Sequence, residues 1–428
     1  MPAALRTRKN CGDLVAAYAA RLHAAAGDRH HVVSPLGAWL LLALAAPLAT
    51  GRTREELERV LGCDVDAACR AADELLRDPH PAVALAFAAW HRGDIGTALD
   101  AWRRTLPPSA ATGPMPTQAE ADAWARERTN GQIESMPARI YGDSRLLLAT
   151  AVAAEVPWRH AFELVPAAEL GGPWASRVQR VMRRHGWSLA NVVARTEAAG
   201  LVGVCIEDGD GGLDVVSVIA APDIPPPRVL AAAYDVGALV ARLPSTAAFV
   251  PAFDLPLTGH AWVVRERELE SKAGFFDYAE KSEVTIPAWT ASTELGDLIG
   301  APGTGFAEIA KALLDPLPAD PRGGGAQAAQ AAKARFDTNG FSAAAVTDVM
   351  IVGSSASRPR WAIERTVEVR FDRPFAVVAA TSTDHFMRAA RDRLHGLPAF
   401  GAWVTEPMEP SEPKRPKRDE TWLRPRQR

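Results

Sequence analysis

Apolar positions recur along this chain with two periods, helical in the first third and strand-like in much of the remainder. Residues 14–23 repeat their apolar positions at helical spacing, which predicts a helix starting near Asp13. In VVSPLGAWLLLALAA, residues 32–46, Ser34 is suited to an N-cap and Pro35 to the first helical turn. The apolar run 38–49 is too short to cross a membrane and predicts a helix buried in a core. Thr53 opens TREELERVLG with Glu56 three residues on, the pattern of a capping box. A helix over 119–128 ends at Asn130-Gly131.

Strands are predicted over 83–90 and over 146–158, the latter so continuously apolar that both faces should be buried. Residues 201–205 and 213–220 flank EDGDGG and predict a hairpin. Residues 284–289 read as a strand followed by a helix from Ser292, and 327–336, 368–379 and 400–404 as later strands. Residues 105–118 and 316–325 read as loops. Strands that follow helices without regular alternation predict an α+β fold.

Composition narrows the chemistry. The chain has 428 residues, 48% hydrophobic and 23% charged, an ordinary globular make-up. A net charge of -3 recruits neither nucleic acid nor an anionic membrane. Cys11, Cys63, Cys69 and Cys205 are too scattered for a disulfide framework, and Cys63 and Cys69 have no CxxC or histidine partner for a metal. EDGDGG, 207–212, does not fit a twelve-residue calcium loop and reads as a polar turn. GAPGTG, 300–305, lacks both a preceding strand and the Lys-Ser/Thr ending of a phosphate cradle. His30-His31 reads as a solvated loop. With no GxSxG or HExxH motif, we expect neither an enzyme nor a cofactor or metal. The N-terminus lacks a signal-peptide pattern, so a cytoplasmic protein is expected, with unconventional export as the alternative. Residues 1–408 form one predicted domain. The proline-rich basic stretch 409–428, with Lys414, Arg415, Lys417 and Arg418, reads as a disordered, solvated tail.

Five segments carry a family resemblance. They are 32–57 (VVSPLG…TREEL), TNGQI at 129–133 with Trp124 upstream, LLLATAVAAEVPWRHAF at 146–162, DTNGFSAAAVT at 337–347, and RFDRPF at 370–375 with the terminal FGAWVTEP. In this order and spacing they resemble the serpins. The resemblance implies helices packed on a large central mixed sheet, smaller sheets, and an exposed reactive loop over about 340–366. It also implies a monomer whose partner is a serine or cysteine protease, with no nucleic acid or membrane partner. The loop is cut as bait, forms an acyl-enzyme, and inserts into the central sheet before hydrolysis.

The resemblance also assigns residues. The hinge is Thr338, Gly340, Phe341, Ser342, Ala343, Ala344 and Ala345. The region where the sheet opens contains Ser34, Thr150, Gln330 and Trp158. Several positions depart from the family pattern. Gly37 replaces a second serine, Thr150 an asparagine and Gln330 a histidine, which leaves Ser34 as the retained member of that hydrogen-bonded cluster. Thr338 and Asn339 replace hinge glutamates. Phe341 replaces a small hydroxylic residue and predicts a poor fit in the first insertion position. In the family register Phe341, Ala343, Ala345, Thr347, Val349 and Ile351 face the core, none of them charged, and Asp348 lies on the opposite side. Counting sixteen residues beyond Thr338 puts the bait bond at Ser354–Ser355, with Arg360–Trp361 as the alternative. Two other functions remain open: a serpin-fold binding or interaction protein that does not inhibit, and an unrelated enzyme.

Overall fold

The computed structural model describes residues 10–187, 192–242, 249–271, 278–318, 326–341, 360–382 and 394–413. Asn10 caps the first helix, α1 (Cys11–Ala26), in a reciprocal box with Asp13, so the helix starts two residues before the predicted position. Ser34 caps α2 (Pro35–Ala45), which is almost wholly buried, as the apolar run predicts. Next come α3 (Gly51–Leu61) and α4 (Val65–Arg77). The N-cap of α3 is Thr50 and not Thr53, so the capping-box reading there fails; its cap makes no side-chain bond. The remaining helices are α5 (Gly96–Arg103), α6 (Gln118–Arg128), α7 (Pro226–Arg242) and α8 (Phe306–Leu314). No described helix is long and apolar enough to cross a membrane.

Eighteen strands form four sheets among the described residues. The six-stranded sheet has the order β1 (His31–Val33), β18 (Pro398–Val404), β17 (Phe375–Thr381), β10 (Leu213–Ile219), β9 (Gly200–Gly209) and β8 (Val193–Thr196). The five-stranded sheet runs β11 (Trp262–Ser271), β16 (Arg360–Arg370), β12 (Tyr278–Ile286), β7 (Arg180–Trp187) and β6 (Glu163–Pro166). A four-stranded sheet joins β13 (Trp289–Leu295), β14 (Gln330–Asp337), β15 (Gly340–Phe341) and β5 (Val156–Pro157). A three-stranded sheet joins β3 (Ala111–Pro114), β2 (Val83–His91) and β4 (Leu146–Ala154). Because β4 leads into β5 one residue later, the last two sheets are halves of one central layer.

Three expectations fail for tertiary reasons. The helix expected from Ser292 is absent because β13 runs on to Leu295, its alternate residues buried against the core. Residues 368–379 are not one strand; β16 stops at Arg370, and RFDRPF turns the chain into a different sheet. Phe371 and Phe375, edge to face at 5.0 Å, bury that turn, and Arg373 donates to the carbonyls of Ala220 and His260. The loop expected over 105–118 contains the edge strand β3.

Five residues expected in the tail are among those described. Residues 409–413 lie against the body, with Pro410 buried. Residues 414–428 lie outside the described residues.

Candidate functional site

The central layer is open. β4 and β14 share no backbone pairing, and between them lies a cavity of about 570 Å³. One side is lined by residues 146–152 of β4 and the other by residues 330–333 of β14, while Ser34, Gly37, Ala38 and Leu41 contribute from the start of α2. At the upper end β15 already fills the gap. Gly340 and Phe341 pair antiparallel with Asp337 and Phe336 of β14, and with Pro157 and Val156 of β5. A strand-wide slot therefore has two residues in place at its head.

Glycine is required at that head. Gly340 has φ of 144°, and an added Cβ would lie 2.5 Å from the carbonyl oxygen of Val156. The expected misfit of Phe341 does not occur. Its side chain is buried, with the ring 6.3 Å from that of Phe400. Trp158 supports the same corner: its indole donates to the carbonyl of Asp337 at 2.7 Å and its ring packs on Phe336 and Phe162. Trp289 also stacks on Phe336.

The sheet-opening cluster is rebuilt with other chemistry. Ser34 Oγ donates to the carbonyl of Ala399 at 2.9 Å and accepts the amide of Gly37 at 3.2 Å. Thr150 Oγ1 donates to the carbonyl of Gly37 at 3.1 Å, linking β4 to α2. Gln330 accepts the Ser34 amide at 3.0 Å and donates to the Ser34 carbonyl at 2.9 Å, linking β14 to the same turn. Ser34 is thus joined to both walls of the slot, and is not the isolated survivor that its departures predicted. Gly37 fits this arrangement. A Cβ there would meet Val152 at 3.1 Å and both Ser34 Oγ and Thr150 Oγ1 at 3.3 Å, so a side chain at 37 competes with the Thr150 hydroxyl.

The hinge is tied down by a segment that the sequence reading left out. The Asp337 carboxylate accepts the amide of Ser411 at 2.8 Å, the amide of Thr338 at 2.8 Å and the guanidinium of Arg335 at 2.5 Å. Thr338 Oγ1 donates to the carbonyl of Ser411, and Asn339 to that of Glu412. Glu409 and Glu412 pair with Arg180 of β7. Burial alone would raise the Asp337 carboxyl, but bonds from Ser411, Arg335 and Thr338 outweigh it and hold the group below the usual carboxylate range. Residues 409–412 therefore form a strap across the hinge turn. Polar residues so far apart in sequence carry no pattern that would have revealed it.

Of the other expected site residues, Ser342, Ala343, Ala344, Ala345, Ser354 and Ser355 lie outside the described residues. Arg360 and Trp361 are the first residues of β16, paired with Ser271 and Glu270 of β11. The alternative bait bond therefore sits in a strand. The reading of His30-His31 as a solvated loop is corrected: His31 is buried in β1, and His30 bonds to the carbonyl of Thr290 and the amide of Thr405. TNGQI closes α6 and ties it to the end of β4, with Asn130 at φ of 51° and Gln132 donating to the Ala154 carbonyl.

Residues 10–167 match the family model of the serpins, serine protease inhibitors. No curated protein sequence matches the chain. Among solved structures, the thermophilic serpin tengpin in its native state is 15% identical with a TM-score of 0.58, over 92% of this chain and 93% of that one. Human thyroxine-binding globulin complexed with thyroxine is 13% identical with a TM-score of 0.57, over 93% and 99%. Human glycosylated kallistatin is 13% identical with a TM-score of 0.58, over 94% and 98%. At such identities the likeness is one of fold. Over residues 10–167 the chain is similar in sequence to the serpins, and along nearly its whole length it shares the fold of these structures.

Proposed function

We propose that the protein inhibits a serine or cysteine protease by inserting its cut reactive loop into the slot between β4 and β14. The observation that carries this reading is β15, two residues already paired on both sides at the head of a gap that no further described residue fills. Each further loop residue would pair one residue further back along both walls. In that register Ala343 and Ala345 would oppose the buried Ala334 and Ala332, and Thr347 would oppose Gln330. On the other side, Ile351 would reach Leu146, the first residue of β4. The uncharged set beginning at Phe341 would share its buried face. In the reaction, the protease nucleophile attacks the carbonyl of the bait bond, the amine leaves with a proton from the protease, and an acyl-enzyme remains. Insertion then competes with water for that ester.

The bait bond proposed is Ser354–Ser355, a substrate for elastase- or subtilisin-like enzymes. Incubation with elastase-like and trypsin-like proteases followed by a denaturing gel tests the reading. A covalent complex supports it, and clean loop cleavage without a complex overturns it. One observation favours a second reading, a serpin-fold binding protein without inhibition. The strap at Ser411 and Glu412 holds the hinge turn on the body, as suits a loop kept in place. The same gel separates the two.

A further inference from the structure

His23 of α1, His31 of β1 and Tyr234 of α7 form a buried hydrogen-bonded chain that the slot itself does not use. His31 Nδ1 lies 2.8 Å from the carbonyl oxygen of Arg29, His31 Nε2 2.7 Å from His23 Nδ1, and His23 Nε2 3.0 Å from the Tyr234 hydroxyl. One carbonyl fixes every proton in this chain. A carbonyl oxygen only accepts, so His31 carries its proton on Nδ1. In the neutral ring its Nε2 then accepts, His23 Nδ1 donates to it, and His23 Nε2 accepts the tyrosine proton. All three side chains are buried, at 5%, 2% and 8% exposure.

The arrangement admits no added proton. A proton on His31 Nε2 would face the N–H of His23, and a proton on His23 Nε2 would turn the tyrosine proton away from its acceptor. Burial, and then the neighbouring His31, push His23 down to about 3, and burial also lowers His31. The junction is built tightly against β18: a Cβ on Gly401 would lie 2.1 Å from the Tyr234 oxygen. The charged and titratable neighbours of His31 are Asp28, Arg29 and His30, from the connection between α1 and β1. On α7 the adjacent Asp235 faces Glu197. β13 and β18 bring Thr290, Thr293 and Gly401, which carry no charge.

β1 links this chain to the slot. The amide of Val32, one residue on from His31, donates to Thr293 of β13, and the amide of Ser34 donates to Gln330 of β14. We propose that His23, His31 and Tyr234 form a proton-operated lock, released by mild acid, that holds β1 in place and with it the β13–β14 wall of the slot. The locked state binds fewer protons than the released one. The lock is therefore complete above the ordinary histidine pKa of about 6.5 and is lost as pH falls below it. Release becomes about tenfold more favourable per pH unit for one histidine and about a hundredfold for two. The inference stands whether or not the loop traps a protease.

Hydrogen exchange of the intact protein, read by mass spectrometry at pH 7.5, 6.5 and 5.5 and corrected for intrinsic rates, tests it. Opening of the segments 31–37 and 330–337 should rise at least tenfold between pH 6.5 and 5.5. His23→Asn should reduce that dependence by tenfold per unit, Tyr234→Phe should raise opening already at pH 7.5 without moving its onset, and His30→Gln should leave it. Opening independent of pH, or a dependence unchanged in His23→Asn, overturns the lock. Should His23→Asn not fold, a histidine ¹⁵N spectrum of the unaltered protein decides. Two neutral Nδ1–H rings at pH 7.5 are expected, and an Nε2–H tautomer at either position overturns the proposal.

Discussion

The Asp337 carboxylate accepts the backbone amide of Ser411 at 2.8 Å, joining the hinge to a residue 74 positions further along the chain. This contact makes the C-terminal strap part of the hinge. Removing the carboxylate charge by Asp337→Asn should cost about 1–3 kcal/mol, the range for a charge-assisted bond whose partners stay half-buried. Deleting residues 409–428 should cost a similar amount. Because both changes break the same contacts, the double variant should be less destabilised than the sum. Urea unfolding measures all three. The strap should also persist at pH 5.5, since a depressed carboxylate keeps its contribution above its unfolded pKa of about 3.9 and loses it only below that.

Gln330 and Gly37 test the rebuilt opening cluster. Gln330→Ala removes both bonds to the Ser34 backbone and leaves the Ser34 amide unpaired, while its carbonyl keeps the amide of Ala38, at a cost of about 1–3 kcal/mol. Gly37→Ser should destabilise on its own, because its Cβ enters tight contact with Val152, Ser34 and Thr150. Denaturant midpoints check both.

Phe341 is buried at the head of the slot. Phe341→Ala should destabilise the protein by about 3–5 kcal/mol, the usual cost of emptying a buried aromatic site, as read by chemical unfolding. A value below about 1 kcal/mol would place the ring outside the core.

Proteolysis should separate the two bait bonds. Elastase-like enzymes should cut within 342–359, at Ser354–Ser355. Arg360–Trp361 should resist trypsin, since its residues pair with Glu270 and Ser271 and must be stripped from β11 first. Mass spectrometry of the fragments locates the cut, and rapid cleavage after Arg360 would contradict the pairing.

Asp348 limits how far the loop enters. In the register of β15 it would oppose Ala149, whose face of β4 packs with Ala121 and Ala125 of α6 and not against solvent. Alternation puts Asp348 on the second face, but it reports which residues share a face and not what covers that face. Asp348→Ala should therefore raise the thermal midpoint of the loop-cleaved form above that of the cleaved parent protein.

The same distinction explains what the chain revealed before its structure. Apolar runs such as 38–49, and caps such as Ser34 before Pro35, are local, and they gave the right helices. TNGQI is a local turn and located the end of α6, whereas RFDRPF, read inside a single strand over 368–379, marks the end of β16 only in the structure. The strand at 289–295 was missed because its burial on alternate residues comes from pairing with β14, some 40 residues away. Within the site, the segment that places Gly340 and Phe341 at the head of the slot was legible. The strap and the histidine chain were not, since each joins polar residues that carry no period, while Ser34 and Gln330 were brought together by the family resemblance alone.

The central claim is that the slot accepts the loop. The most direct test compares the thermal midpoint of the intact protein with that of the protein cut once within 342–359. Inserting about ten residues as a strand adds ladder bonds worth on the order of 10 kcal/mol, or roughly 10 °C for a chain of this size. A rise of that order is predicted, and an unchanged or lower midpoint would contradict insertion.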